Sequence, residues 1–554
     1  MTRPIPRMRP TLLPVALLLI AVLFALAPKA EGAGLRNAAA TENDLASRAA
    51  VGVMAAGGNA VDGAIAAALM GGVVSPTSSG IGGGGFALVW LAKEKSVYVL
   101  DFRERAPAKL DVKAFEARPF SDAERGKYVG VPGEVAGLHA LHGKFGKRAW
   151  KDVVAPAIQS AKQGFPVGRF LAGSLAAYGD RLRVDATLAR IFYPQGKPAA
   201  AGARVVRAKL AATLERIAAE GPQALYAGEV ARDIVDSAKK AGGSLELSDL
   251  ANYRPVERTP LRVRWGQHEI VTMPPPSAGG LMVVQTLSLL EKARLAKLGK
   301  GSGALIHLQA EAMRGAIADR MRYLGDPDHV AVDVAKLTAP ARMAKRRAHI
   351  GIERTHTLPR FGLEEHGTHH MVTADAAGNV VSLTTTVNRT FGAKLIAPAS
   401  GIVLNDELDD FTAAKDVEPF GMKVSPNRPR PGARPVSSMT PTFVLRDGKV
   451  ELALGGSGGT TIATNVTQVL VSWLTFGGDL PKELAAPRFQ VPSGGPTLLL
   501  EKGVAQSLRE DLAFRGEILG TVRFTQSAVQ GIALRNGQWL PASDPRKFGA
   551  PAQR

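Results

Sequence analysis

Gly367-Thr368-His369-His370-Met371-Val372-Thr373-Ala374 and Val380-Val381-Ser382-Leu383-Thr384-Thr385-Thr386-Val387-Asn388 flank the pentapeptide Asp375-Ala376-Ala377-Gly378-Asn379, and this stretch decides the fold. The central five residues are a turn signal between two β-type runs, so the segment predicts a hairpin. Centred on Ala377, the hairpin places Thr368 directly opposite Thr386. Cross-strand partners lie about 4.5–5.5 Å apart at Cβ, close enough for one hydroxyl to orient the other. Gly367 adds little bulk at the Gly367–Thr368 bond. Cutting that bond would leave Thr368 with a free α-amine beside its own hydroxyl. Such an amine has a reference pKa of about 7.7–8.0, which suits a general base at neutral pH. The hairpin therefore predicts an N-terminal threonine nucleophile. Threonine is also a good β-former in its own right, so the rest of the chain decides between chemistry and plain strand.

The chain has 554 residues, 45% hydrophobic and 21% charged, which suits a globular protein with a large core. Cysteine is absent. That excludes a thiol nucleophile, disulfides, thiolate zinc sites and a cysteine-linked lipid anchor. Residues 1–33 read as a secretory signal, with Arg3, Arg7 and Arg9 ahead of the apolar stretch Leu12 to Ala27 and small residues beyond it. The stretch is interrupted by Pro14 and is short for a membrane span, which needs about 20 residues. An exported protein, periplasmic or extracellular, is expected, with an uncleaved anchor as the alternative. The net charge of +20 favours anionic small molecules. Lys and Arg are spread along the whole chain and no nucleic-acid motif is present, so nucleic acid is not an expected partner. His356, His366, His369 and His370 fall close together, yet there is no H-E-x-x-H and no metal site is expected.

After the signal, Asn43 to Ala56 reads as a helix, and a second runs from an Asn59 cap to about Gly72. Gly82 to Gly85 are four successive glycines that let backbone pack closely or line a site, and they open a strand from Phe86 to Ala92 whose partner is Ser96 to Phe102. Residues 130–340 are mainly helical, and Ala304 to Leu324 reads as an amphipathic helix. Residues 341–367 are basic, without a periodic face, and are expected to be an exposed, irregular segment before the scissile bond. From 368 onward the chain turns to strands.

A second hairpin is predicted where Thr442 to Arg446 and Lys449 to Leu454 flank Asp447-Gly448, a type I′ turn signal. Extending its ladder brings Ser437 opposite Gly458. Ser437-Ser438 and the loop Gly455-Gly456-Ser457-Gly458-Gly459 would then converge. Backbone N–H groups in such a loop are ready donors to an oxyanion, and the serine hydroxyls can hold a carboxylate.

Taken together, these residues resemble the γ-glutamyltransferase (γ-glutamyltranspeptidase) family of N-terminal nucleophile hydrolases over roughly residues 35–550. The resemblance is carried by Ser79–Phe86, Asp101-Phe102-Arg103-Glu104, Val131–Gly137, Met273–Gly280, Ala318-Asp319-Arg320, Tyr323–Pro327, Gly401 to Phe411, Arg434 to Thr442 and Gly455–Gly459. It implies an α+β fold, an αββα four-layer sandwich made by one precursor, with a large subunit 34–367 and a small subunit 368–554 after cleavage at Gly367–Thr368. It implies Thr368 as autoprocessing residue and nucleophile, Thr386 as the residue that orients it, and Gly458 and Gly459 as the oxyanion hole. For a γ-glutamyl donor it implies Arg103, Ser437 and Ser438 around the α-carboxylate, and Asn388, Glu407 and Asp410 around the α-ammonium. The implied activity is transfer of the γ-glutamyl group of glutathione and related amides to water or to acceptor amino acids and peptides, with no cofactor.

Within that fold the alternatives are a glutaryl-type (cephalosporin) acylase and a γ-polyglutamate hydrolase; a metal enzyme and a non-enzymatic exported binder are the rivals outside it. Two departures from the family pattern stand out. His369 follows the threonine where a smaller residue is more usual. Phe420 stands in Phe411–Val436, the place of a lid, where a tyrosine is often found.

Overall fold

A computed structural model describes residues 35–554 apart from 291, 352–355, 357–366, 492–496 and 523–526. The signal read at 1–33, most of the segment just before the scissile bond, and His366 lie outside the described residues.

Two antiparallel sheets stack face to face. The first has seven strands in the order Ala552–Gln553, Ala38–Thr41, Gly367–Ala374, Val380–Asn388, Gly84–Leu91, Ser96–Asp101 and Val256–Glu257. The second has six, Gln538–Ser543, Ala528–Arg535, Lys449–Ser457, Thr442–Arg446, His268–Thr272 and Leu261–Trp265. Side chains alternate along a strand, and the strands here use both faces. Ala87 and Val89 pack into the cluster that contains the helices Asp44–Ala55, Ala60–Val74 and Trp150–Gln163. Leu88 and Trp90 pack the other way, with Phe443, Leu452 and Val529 of the second sheet. Ala278–Leu289 and Ile462–Phe476 cover that sheet from outside. The result is the expected αββα sandwich, with both sheets buried on both faces.

The decisive hairpin forms about its predicted turn, but it does not place Thr368 opposite Thr386. Its register runs from Val380↔Ala374 to Thr385↔His369 and then shifts, so that Asn388 pairs with Gly367 and Thr368 and Thr386 are not ladder partners. Asp375 builds the turn, with Oδ1 accepting from Ala377 N at 2.9 Å and Asn379 N at 3.0 Å. Its Oδ2 accepts from Ala60 N at 3.0 Å, tying the turn to the helix Ala60–Val74. That helix has the Asn59 cap, completed by Asp62 reaching back to Asn59 N at 3.0 Å. Every one of its residues is buried, its one charged residue, Asp62, being taken up in the cap.

Three expectations need correction. The second hairpin keeps its predicted register only at Arg446↔Lys449 and Leu445↔Val450; a bulge at Glu451 then shifts the ladder to Val444↔Leu452. Ser437 does not reach Gly458 and instead bridges Ser277 in parallel. The helix Gly303–Tyr323 is buried on nearly all sides rather than amphipathic. Its buried charges include the pairs Arg314 with Glu311 at 2.6 Å and Asp319 with Arg342 at 2.7 Å. Finally, Pro340–His349 is helical. Only Met343 is buried on it, so there was no apolar stripe to read; Arg342 and Arg346 anchor it to Asp319 instead.

Candidate active site

Thr368 is the second residue of the strand Gly367–Ala374 and is buried between the sheets. Gly367 has no room for a side chain, because a Cβ there would sit 2.4 Å from the Asn388 carbonyl oxygen. The register shift beyond Thr385 turns Thr386 toward the bond that matters. Its Oγ1 donates to the Gly367 carbonyl oxygen at 2.5 Å and accepts from Asn388 N at 2.8 Å. Asn388 takes φ +71°, and its Nδ2 donates to Asp406 O at 3.1 Å. The hydroxyl–carbonyl contact polarises the Gly367–Thr368 peptide in the uncut chain.

The glycine run packs against this strand. A Cβ on Gly83 would lie 1.9 Å from Thr386 O, so the close approach requires glycine. Ser79 at the start of that segment bonds Thr385 Oγ1 at 2.7 Å. The two histidines after Thr368 point to opposite sides. His369 lies against Gly71 of the helix Ala60–Val74. His370 bonds Thr384 Oγ1 at 2.8 Å through Nδ1. Burial lowers both, His370 to about 3, so both rings are neutral.

The residues assigned to the donor's head group form one buried cluster. Arg103 donates from Nη1 to Glu407 Oε1 and from Nη2 to Asp410 Oδ2, both at 2.5 Å, and from Nε to Pro435 O at 2.7 Å. Its Nη2 also reaches Val436 O at 3.2 Å, immediately before Ser437 and Ser438. Glu104 and Glu407 face each other within hydrogen-bonding reach. Burial raises Glu104 to about 8, opposed by Arg103. Burial likewise raises Glu407 well above the carboxylate range, with Arg103 pulling down and Glu104 and Asp406 pushing up. Ser437 Oγ accepts from Met439 N at 3.1 Å, and Ser438 Oγ accepts from Arg320. Asn388 and Asp406 connect this cluster to the strand Gly367–Ala374.

Gly458 (φ +115°) and Gly459 (φ +60°) follow the strand Lys449–Ser457 and open the helical segment that continues into Ile462–Phe476. The first N–H groups of a helix have no intrahelical acceptor, so these amides are suited to an anion. Ser457, just before them, bonds Lys547 Nζ at 2.7 Å, and the same Nζ donates to Thr368 O at 3.1 Å. One lysine thus joins the turn before Gly458 to Thr368.

The chain matches the family model described as Gamma-glutamyltranspeptidase over residues 46–554. It belongs to the γ-glutamyltranspeptidase family. It is 36% identical over 518 residues to the glutathione hydrolase proenzyme of Escherichia coli (strain K12), covering 90% of this chain and 89% of that one. It is likewise 36% identical over 551 residues to glutathione hydrolase 2 of Arabidopsis thaliana, covering 93% of both. Among solved structures, the cephalosporin acylase from Bacillus halodurans superposes with a TM-score of 0.83 at 29% identity, over 94% of this chain and 96% of that one.

In this chain Thr368, Thr386 and Asn388 lie on one hairpin, and Arg103, Glu407 and Asp410 in one ion cluster. Sequence reading missed Lys547, Glu42 and Glu104 as neighbours of the site. Glu104 adjoins the predicted Arg103 and was within reach. Lys547 lies close to the end of the chain with no local pattern to mark it. Phe420 is buried in a cluster with Met313, Ile317 and Val417. Among the described residues no helix is long and apolar enough to cross a membrane.

Proposed function

We propose that the protein is an exported γ-glutamyltransferase and glutathione hydrolase that cuts itself between Gly367 and Thr368. Thr368 Oγ1 attacks the Gly367 carbonyl carbon while Thr386 holds the carbonyl oxygen. The peptide C–N bond breaks, and water hydrolyses the resulting ester. Residues 34–367 become the large subunit and 368–554 the small one, which starts with a free threonine amine. That amine then takes the Thr368 hydroxyl proton as Oγ1 attacks the γ-carbonyl of a donor such as glutathione. The Gly458 and Gly459 amides stabilise the oxyanion, the leaving amine departs with the proton, and water or an acceptor amine releases the γ-glutamyl group.

The observation that carries this reading is the buried Arg103–Glu407–Asp410 cluster. An amino-acid head group bears one carboxylate and one ammonium. It can exchange the internal ion pairs for its own, with its carboxylate on Arg103, Ser437 and Ser438 and its ammonium on Asn388, Glu407 and Asp410. The two carboxyl groups beside Arg103 offer acceptors to a ligand that brings an ammonium.

A glutaryl group lacks that ammonium. The likeness to the Bacillus halodurans cephalosporin acylase keeps glutaryl amide hydrolysis as the second reading. Rates on γ-glutamyl and glutaryl anilides decide between them. The γ-glutamyl compound is expected to be favoured about 10²-fold or more, since a site built to bond a polar group rejects the analogue without it. A preference for the glutaryl compound would establish the acylase reading.

A further inference from the structure

We propose that Lys547 is a positioning residue for the nucleophile. Its ammonium fixes the Thr368 carbonyl and the oxyanion turn, and holds the neighbouring α-amine of Thr368 in its unprotonated form. The inference rests on Thr368 acting as an N-terminal nucleophile, and adds the group that sets the basicity of its amine.

An ammonium has three donors, and Lys547 uses three in one buried spot. Nζ donates to Thr368 O at 3.1 Å, to Ser457 Oγ at 2.7 Å and to Glu42 Oε2 at 3.0 Å, with the side chain 1% exposed. The other Glu42 oxygen, Oε1, accepts from His370 N at 3.2 Å. A residue near the end of the chain thereby ties the nucleophile strand to the residue before Gly458 and to the end of the strand Ala38–Thr41. After cleavage, the new amine sits on the same residue whose carbonyl Lys547 holds, with only Cα between the two groups. A cation at that range disfavours protonation of the amine, which must be neutral to accept the hydroxyl proton.

The other ionisable groups around this point leave that field in place. His369 and His370 are neutral by burial, and Lys547 itself contributes to the lowering of His369 while Glu42 opposes it. Glu42 balances the lysine, but no hydrogen bond joins it to Thr368. Arg389, whose carbonyl lies by Gly367, is paired with Asp409 at 2.6 Å. Beyond Lys547, a cavity of about 110 Å³ is lined by Asp44 and Arg169. Asp44 is paired with Arg48 at 2.7 Å, and Arg169 stacks over Phe548.

The test is the acid limb of kcat/KM for a γ-glutamyl anilide, measured on protein whose small chain is shown by mass to begin at Thr368. Lys547→Met removes the cation and is expected to move the limb up by about one pH unit. Glu42→Gln keeps the acceptor for His370 N, leaves the lysine unbalanced, and is expected to move the limb down. Lys547→Arg is expected to leave it close to wild type. If Lys547→Met does not mature, the downward shift in Glu42→Gln still carries the test. Limbs that stay at the wild-type pH in both variants, or move in the same direction, would overturn the proposal while leaving Thr368 as nucleophile. An uncut wild-type chain would overturn both.

Discussion

Thr386 Oγ1 donates to the carbonyl oxygen of Gly367 at 2.5 Å, so the residue expected to face Thr368 instead holds the carbonyl of the bond proposed for self-cleavage. Polarising that carbonyl favours attack, and the same hydroxyl is fixed by the bond it accepts from Asn388 N. Thr386→Ala is expected to slow self-cleavage about 10²–10³-fold, the cost of removing one such donor. Thr386→Ser, which keeps the hydroxyl, is expected to retain most of the rate. The fraction of uncut chain against time after synthesis reads both. Equal rates for Ala and wild type would remove Thr386 from the chemistry.

Arg103 makes bonds to two carboxylates and two main-chain carbonyls. Lysine cannot span that fork. Arg103→Lys is expected to lower kcat/KM for a γ-glutamyl donor about 10²-fold or more, chiefly through KM. Arg103→Gln leaves buried carboxylates without their cation and is expected to cost about 3–5 kcal/mol of stability. Steady-state kinetics and denaturant unfolding separate the two effects.

Glu134 is fully buried, and burial raises it from 4.5 to about 8, opposed by the backbone N–H of Gly80. A raised carboxyl binds a proton in the folded state that the unfolded chain releases. Its contribution to stability is therefore fully present below about pH 4.5 and is lost as pH rises through about 8. Glu134→Gln removes the titration. Thermal melts from pH 5 to 9 are expected to fall less steeply for the variant than for wild type. Parallel slopes would show that Glu134 is already ionised in the fold.

Much of the site was legible because the hairpin ladder is regular up to Thr385 and the glycine run and Arg103-Glu104 are local signals. What sequence could not give were the two irregularities, at Thr385/Asn388 and at Glu451, since a bulge is set by tertiary packing rather than by alternation. The first gives Thr386 a carbonyl as partner in place of a hydroxyl. The second removes Ser437 from the ladder that was to bring it to Gly458. Arg103 and Asp410, which by composition alone read as surface charges, are buried because they neutralise each other. Lys547 and Glu42 meet across 505 positions of the chain, a separation no motif encodes.

Phe420 packs among Met313, Ile317 and Val417. A hydroxyl added there would be buried among apolar side chains. Phe420→Tyr is expected to leave the ratio of hydrolysis to transfer unchanged and to lower the melting temperature by a few degrees, for a loss of about 1–2 kcal/mol. A changed ratio with an unchanged melting temperature would place this residue over the donor after all.

The central claim is that Thr368 becomes an N-terminal residue by its own chemistry. Intact mass and N-terminal analysis of the purified protein, wild type beside Thr368→Ala, tests it directly. The account predicts two chains in the wild type, the smaller starting at Thr368, and one uncut chain in the variant. A single uncut wild-type chain, or a variant cut at the same bond, would contradict it.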